Sequence, residues 1–198
     1  MAGTSERRLS AAARRAQLVD VAYAWMREHP LAALSPDAVA AGAGVSKPLV
    51  FHYFPTIGDL QLAVFDQVAD SLVERLERTS DVALPDRLRA GIEAFIDAAD
   101  RHAEMYLHVM RGGATDEKLR RAMHATRDRL ARLIGGWVGV DAPPPALLVV
   151  LRGYLGLIEE AVLEWLPQRP VPREALVDFL VGAAEQMPGQ AAALLGRA

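Results

Sequence analysis

Lys47, Pro48, Leu49, His52 and Tyr53 gather a cation, two apolar contacts, a hydrogen-bonding ring and a phenol in one short stretch. If that stretch is helical, Val45, Val50 and Phe54 lie on the inward side and these five stay outside. Such a set near a helix N-terminus suits a DNA major groove, where the first residues of a reading helix reach base edges and phosphates. Enzyme chemistry has no comparable footing. The sequence holds no Gly-x-Ser-x-Gly elbow, no phosphate-cradling glycine loop and no His-Glu-x-x-His pair.

Local signals place this stretch on a helix. Ser35 before Pro36 reads as an N-cap followed by a proline preset at the first helical position. Gly44 falls where a reversing chain needs positive φ, and Ser46 is expected to cap a second helix with Pro48 in its first turn. Ala40 is small where two helices must touch. The outcome is a helix, a tight turn and a helix. Ahead of it, Leu18, Val21, Ala22 and Trp25 make one apolar face of a helix from Ser10 to about Glu28. Arg14 and Arg15 sit in its early turns, against the helix dipole, where an external anion suits them. Behind it, Asp59 is expected to cap a helix from Leu60 to about Arg78 with a stripe of Phe65, Val68, Leu72 and Leu76. Nearly twenty residues of helix span roughly 30 Å.

The stretch VAAGAGVSKPLVFHYFPTIGDL, with the helix before it, resembles the DNA-binding segment of the tetracycline-repressor (TetR) family of one-component regulators. Val39, Ala40, Gly44, Val45, Ser46, His52, Tyr53, Phe54 and Leu60 follow the family pattern. Phe51 stands where the family usually has Tyr, and Ile57 where it usually has Lys, both usual residues being phosphate contacts. The resemblance is specific over residues 14–64 and architectural beyond. It implies an all-α protein: three helices that read DNA, then a larger sensor and dimerisation domain. The expected DNA-contacting set is Arg14, Ser35, Ser46, Lys47, Pro48, Leu49, Phe51, His52, Tyr53 and Thr56, with Ser35 and Ser46 acting as caps first.

The remaining pattern is helical too. Leu88, Ile92, Phe95 and Ala99 mark a helix ending near Arg101, and Glu104 to Met110 reads as a short helix or a kinked continuation. Gly112 and Gly113 read as a stop. From Thr115 to Trp137, Leu119, Met123, Leu130, Ile134 and Trp137 turn inward while Lys118, Arg121, Arg127 and Arg132 turn outward. Residues 146–166 are apolar on two sides, Leu147, Leu151, Tyr154, Ile158, Val162 and Trp165 on one, Val150, Gly153 and Leu157 on another. One face can pack on its own domain and the other on a second subunit. A last helix runs Arg173 to Met187, and Pro188 to Ala198 is expected to fray. This gives roughly nine helices. A homodimer through the helices near 146–166 and 173–187 is the economical arrangement for a palindromic double-stranded operator.

Phe95, Met105, Tyr106, Met110, Met123, Trp137, Tyr154 and Trp165 are candidates for a pocket suited to an apolar or amphipathic small-molecule effector. Asp97, Asp100, Glu104 and His108 would share one face if the helix continued through them. Their spacing is not the Glu-x-x-His metal pattern, and neither a metal nor a cofactor is expected. The rival reading is an all-helical small-molecule or metal-binding protein without DNA-binding function, which salt-sensitive duplex binding separates.

Net charge over the 198 residues is −3, but its distribution is uneven. Residues 1–58 carry six cations against four carboxylates, a net +2, leaving −5 for residues 59–198. The positive excess is concentrated before Asp20, so a basic arm is expected beside the reading helix while the acidic excess lies in the other part. Two domains are therefore expected, 1–58 for DNA and 59–198 for ligand and dimerisation. With no cysteine there is no disulfide framework. The N-terminus lacks the apolar core of a signal peptide and no run reaches a membrane span, so a cytoplasmic protein without membrane contact is expected.

Overall fold

The computed structural model describes residues 9–78, 82–112 and 116–195. Among them are nine α-helices, one short 3-10 turn and no strand. The basic tip at Arg7 and Arg8, the centre of the break expected at 79–85, and Gly113 and Thr115 lie outside the described residues. Contacts divide the chain into two compact units, residues 1–67 and 68–198. That division and the expected one at 58/59 both fall inside one helix, α4 (Ile57–Glu77).

In the first unit, α1 (Ala11–Glu28) begins where the Ser10 hydroxyl accepts the Ala13 N–H at 3.1 Å. Leu18, Val19 and Ala22 are buried, whereas Val21 and Trp25 are half-buried, so the buried face is turned slightly from the expected one. Helix α2 (Pro36–Ala43) packs on both α1 and α3 (Lys47–Tyr53). Gly42 makes the α1 crossing close: a Cβ there would meet Val21 Cγ1 at 2.7 Å. Val39, Ala40, Val50, Phe54, Leu60 and Val64 are buried with them. Gln67 Nε2 donates to Asp20 Oδ1 at 2.9 Å, fastening α4 to α1.

Two expectations about caps are corrected. Ser46 precedes α3, but its hydroxyl accepts no capping bond. Capping hydroxyls bind the N–H of the second or third helical residue. Pro48 has no N–H at the second position, and the Leu49 N–H is taken by the Ser46 carbonyl at 3.0 Å. At α4 the capping residue is Thr56 rather than Asp59. Thr56 Oγ1 accepts the Asp59 N–H at 3.1 Å, and Asp59 Oδ2 accepts the Thr56 N–H at 3.1 Å and its hydroxyl at 2.8 Å, a reciprocal capping box.

The second unit is built on α5 (Leu84–Arg101), α6 (Ala103–Gly112), α7 (Glu117–Trp137), α8 (Pro145–Gln168) and α9 (Arg173–Leu195). Helix α6 is separate from α5, with a break at His102 (φ −127°, ψ 42°). Helix α8 serves two cores. Leu151 and Leu155 join Val73, Leu76, Leu130 and Ile134, while Tyr154, Ile158, Val162 and Trp165 join Ile92, Ile96, Val177 and Leu180. Tyr154 Oη donates to the Leu180 carbonyl at 2.9 Å and Trp165 Nε1 to the Val171 carbonyl at 2.8 Å.

Two further expectations change. Helix α9 continues through Pro188 to Leu195 instead of fraying after Met187. A proline deletes one helical hydrogen bond, and the Ala-Ala-Ala-Leu-Leu run that follows favours helix strongly. Arg127 is not an outward charge but is largely buried against Glu159 of α8. Gly135 is buried inside α7, where a Cβ would lie 2.4 Å from Pro143 Cγ. No helix among the described residues is long and apolar enough to cross a membrane.

Candidate functional site

The outer face of α3 depends on the turn before it. Gly44 adopts φ +64°, and its N–H returns to the carbonyls of Ala40 and Ala41. The Val45 N–H also bonds the Ala40 carbonyl at 3.0 Å, so α2 ends abruptly and α3 starts at a fixed angle. With Val50 and Phe54 buried, Lys47, Pro48, Phe51 and His52 are exposed, and Leu49 and Tyr53 are half-exposed. Phe51 is 42% exposed, a large apolar ring held in solvent. His52 and Tyr53 meet edge to face at 5.1 Å.

Charge on this surface is organised by neighbours that the sequence left hidden. Lys47 Nζ lies 2.7 Å from Asp37 Oδ2 at the start of α2, an exposed pair of little net stability. Arg14 Nη1 donates to Gln17 Oε1 at 2.6 Å, and Gln17 Nε2 reaches the Ala43 carbonyl at 3.4 Å. Arg15 stacks over the Phe54 ring at 4.9 Å. The Lys47–Asp37 pair and the reach of Gln17 to Ala43 had no local signal, because each joins two helices, whereas Arg14 and Gln17 pair within α1. Ser35 is engaged as a cap, its Oγ accepting the Ala38 N–H at 3.2 Å, and the Thr56 hydroxyl is engaged with Asp59. This surface offers one helix of mixed polar and apolar character, flanked by cations, with no acidic side chain on α3 itself.

The second unit contains a cavity of about 50 Å³. Helix α4 contributes Leu72 and Leu76, and α5 contributes Leu88, Gly91, Ile92 and Phe95. From α7 come Leu130, Ile134 and Trp137, and from α8 Tyr154, Leu155, Ile158 and Glu159. Of the eight residues expected to line a pocket, Phe95, Trp137 and Tyr154 do so. Met105, Tyr106, Met110, Met123 and Trp165 do not line it. Met105 and Trp165 are buried in packing, and Tyr106 stacks edge to face on Phe95 at 5.8 Å. Selecting aromatic and sulfur-bearing residues missed the leucines and isoleucines because four separate helices bring them together.

Glu159 is the one carboxylate in this wall. Arg127 Nε donates to its Oε1 at 3.3 Å and Arg127 Nη2 to its Oε2. Burial pushes the Glu159 carboxyl above the ordinary carboxylate range, opposed by the Arg127 hydrogen bond and charge. Burial likewise raises the Tyr106 and Tyr154 phenols far above their ordinary value, with Glu159 and Glu160 adding to the effect at Tyr106. Tyr106 Oη donates to the Glu159 carbonyl at 2.8 Å. Asp97 and Asp100 are engaged elsewhere, with Arg173 and Arg169, and the break at His102 takes Glu104 and His108 off their helix.

Residues 18–64 match the family described as bacterial regulatory proteins, tetR family, and residues 84–185 match the tetracyclin repressor-like C-terminal domain. The transcriptional activator FasR of Mycolicibacterium smegmatis is 29% identical over 178 residues, covering 85% of this chain and 80% of that one. The transcriptional regulator EthR of Mycobacterium tuberculosis is 33% identical over 81 residues, 39% of this chain and 38% of its own. A tetR-family regulator from Streptomyces coelicolor superposes with a TM-score of 0.78 at 30% identity, covering 93% of this chain and 84% of that one. A reading helix presented outward and family matches in both units lead to one conclusion: the chain belongs to the TetR family of helix-turn-helix transcriptional regulators.

Proposed function

We propose that this regulator binds a palindromic operator as a homodimer, with α3 of each subunit in the major groove, and leaves it when a small molecule enters the cavity of the second unit. The observation that carries the DNA reading is the division of α3, with Val50 and the adjoining Phe54 buried while Lys47, Phe51 and His52 stay in solvent. Ser46, Pro48, Leu49 and Tyr53 share that surface, and Arg14, Ser35 and Thr56 border it. Symmetry sets the operator: half-sites about 34–36 Å apart place two reading helices in successive major grooves. The dimer forms through α8 and α9, where Val149, Leu157 and Phe179 are exposed and nothing stands within 4 Å of a Cβ built on Gly153, Gly156 or Gly182. Such a regulator works in the cytoplasm, where its operator is.

A cavity of about 50 Å³ is too small for an organic effector as it stands. Entry therefore parts α4 from its neighbours, and α4 is the helix whose first turns carry Leu60 and Val64 of the DNA-binding unit. A ligand that binds the parted state better shifts the population toward it and away from operator spacing. Repression is the proposed output, and FasR, named an activator, makes its sign a matter for a transcription assay. Selection of genomic DNA fragments by the purified protein, followed by gel-shift titration at several salt concentrations, tests the proposal. Recovery of a two-fold symmetric site with salt-dependent affinity supports it, and absence of duplex binding at low salt overturns it.

A further inference from the structure

The wall of the cavity is mostly hydrocarbon and holds no cationic side chain. Its two tyrosine neighbours offer a ligand no spare donor. Tyr154 gives its hydroxyl to the Leu180 carbonyl and Tyr106 gives its own to the Glu159 carbonyl. Glu159 is different. A carboxylate has roughly four acceptor positions, and Arg127 occupies one on each oxygen, so acceptor capacity remains after the pair is made.

Charge balance limits what can use that capacity. Glu159 and Arg127, both largely buried, cancel each other, and the two further charged influences on Glu159, His124 and Glu160, act in opposite directions. An anionic ligand would meet the Glu159 charge, and a cationic one would leave two positive groups around one carboxylate, each unsolvated. An uncharged O–H or N–H adds a charge-assisted hydrogen bond without disturbing the balance. We infer that the effector of this cavity is an uncharged, mainly hydrocarbon molecule with one hydroxyl or N–H, which it donates to the Glu159 carboxylate while its apolar body parts Leu76, Ile92, Phe95 and Trp137. This rests on the proposed reading of the cavity as the effector site. Burial, which raises the Glu159 carboxyl, makes that oxygen a stronger acceptor in the same direction.

The test uses the full chain and four probes of matched length: 1-octanol, its isomer heptyl methyl ether, octanoate and octyltrimethylammonium. Trp137 fluorescence reports binding, with Trp137→Phe as the control, and a gel shift on the selected operator reports release. In the wild-type protein octanol binds and releases DNA at about one-tenth the concentration of the ether, which lacks the donor. Either ion is weaker still. In Glu159→Leu/Arg127→Leu, which removes both charges together, octanol and the ether become equivalent. If octanoate or octyltrimethylammonium matches octanol, the ligand class is wrong while the effector site stands. A retained octanol preference in the double variant removes Glu159 from the inference. If the protein binds its operator yet no probe perturbs Trp137 or releases DNA, both the class and the cavity reading fall.

Discussion

Ser35 and Ser46 hold the same position, one residue ahead of a helix, but only Ser35 gives its hydroxyl to the helix. The difference is one residue in the placement of proline. Pro36 takes the first helical position and leaves the Ala38 N–H for Ser35, whereas Pro48 takes the second and removes a donor that Ser46 would have met. Ser35→Ala is therefore expected to lower unfolding stability by about 1 kcal/mol in urea titration. Ser46→Ala should leave the urea midpoint unchanged and weaken operator binding, because its hydroxyl is open to a phosphate. A fall in stability equal to that of Ser35→Ala would return Ser46 to a capping role. Lys47 makes a second residue-scale case: in the proposed complex, DNA phosphate would displace Asp37 from it. In Lys47→Ala the slope of log affinity against log salt should shrink by about one unit; an unchanged slope removes Lys47 from the phosphate contacts. Ser35, Gly44 and the outer face of α3 were legible because their causes lie within a few residues. The Lys47–Asp37 and Arg127–Glu159 pairs were not, since each joins two helices whose relative placement no local pattern encodes.

Among elements, the α1–α2 crossing depends on a glycine for a reason the sequence concealed. Gly42 lies in the last turn of α2, where alanine would ordinarily gain about 1 kcal/mol of helix propensity. A Cβ placed there meets Val21 Cγ1 at 2.7 Å, and a valine stiff at χ1 cannot easily withdraw. Overpacking of this kind costs about 1–3 kcal/mol, enough to outweigh the propensity gain. Gly42→Ala is expected to destabilise the wild-type chain but to stabilise the Val21→Ala variant, a sign reversal that a double-mutant cycle in denaturant reads directly. Destabilisation of equal size in both backgrounds would mean that the close approach to Val21 is not the cause. The same physics explains what the periodic reading of the elements got right and wrong. Helix number and sequence position follow from apolar spacing, so α5, α7 and α8 emerged within a few residues of their ends. The buried side of each helix followed less well: Val19, Val64 and Val73 are buried where neighbouring positions were expected, because a helix turns its face to whatever it packs against.

For the whole molecule, one chain leaves a surface that water solvates poorly. On α8, Val149 is 65% exposed, with Leu157 two turns along on the same side, and on α9 Phe179 is 57% exposed. Gly153 and Gly156 lie within that α8 stretch, Gly182 follows Phe179 on α9, and a Cβ added at any of the three would meet no atom within 4 Å, so another backbone can come close. The sequence already marked Gly153 and Leu157 as a second apolar side of this helix, but Phe179 escaped notice because α9 reads as one stripe. A stable dimer buries roughly 800 Å² per partner, and two long helices laid against their copies can supply that area. Leu157→Glu with Phe179→Glu would place like charges within the proposed symmetric contact, where a two-fold axis brings the same patch of both copies together. Light scattering should then report a monomer, with the far-ultraviolet circular dichroism of the wild type. Operator affinity should fall by at least about 100-fold, because the second half-site is no longer engaged by a tethered reading helix. A half-site duplex should bind the variant and the wild type with similar affinity, which separates lost dimerisation from a damaged α3. If the doubly charged variant remains a dimer on full operator DNA, the paired surface lies elsewhere and the half-site geometry proposed for α3 has to be drawn from that other face.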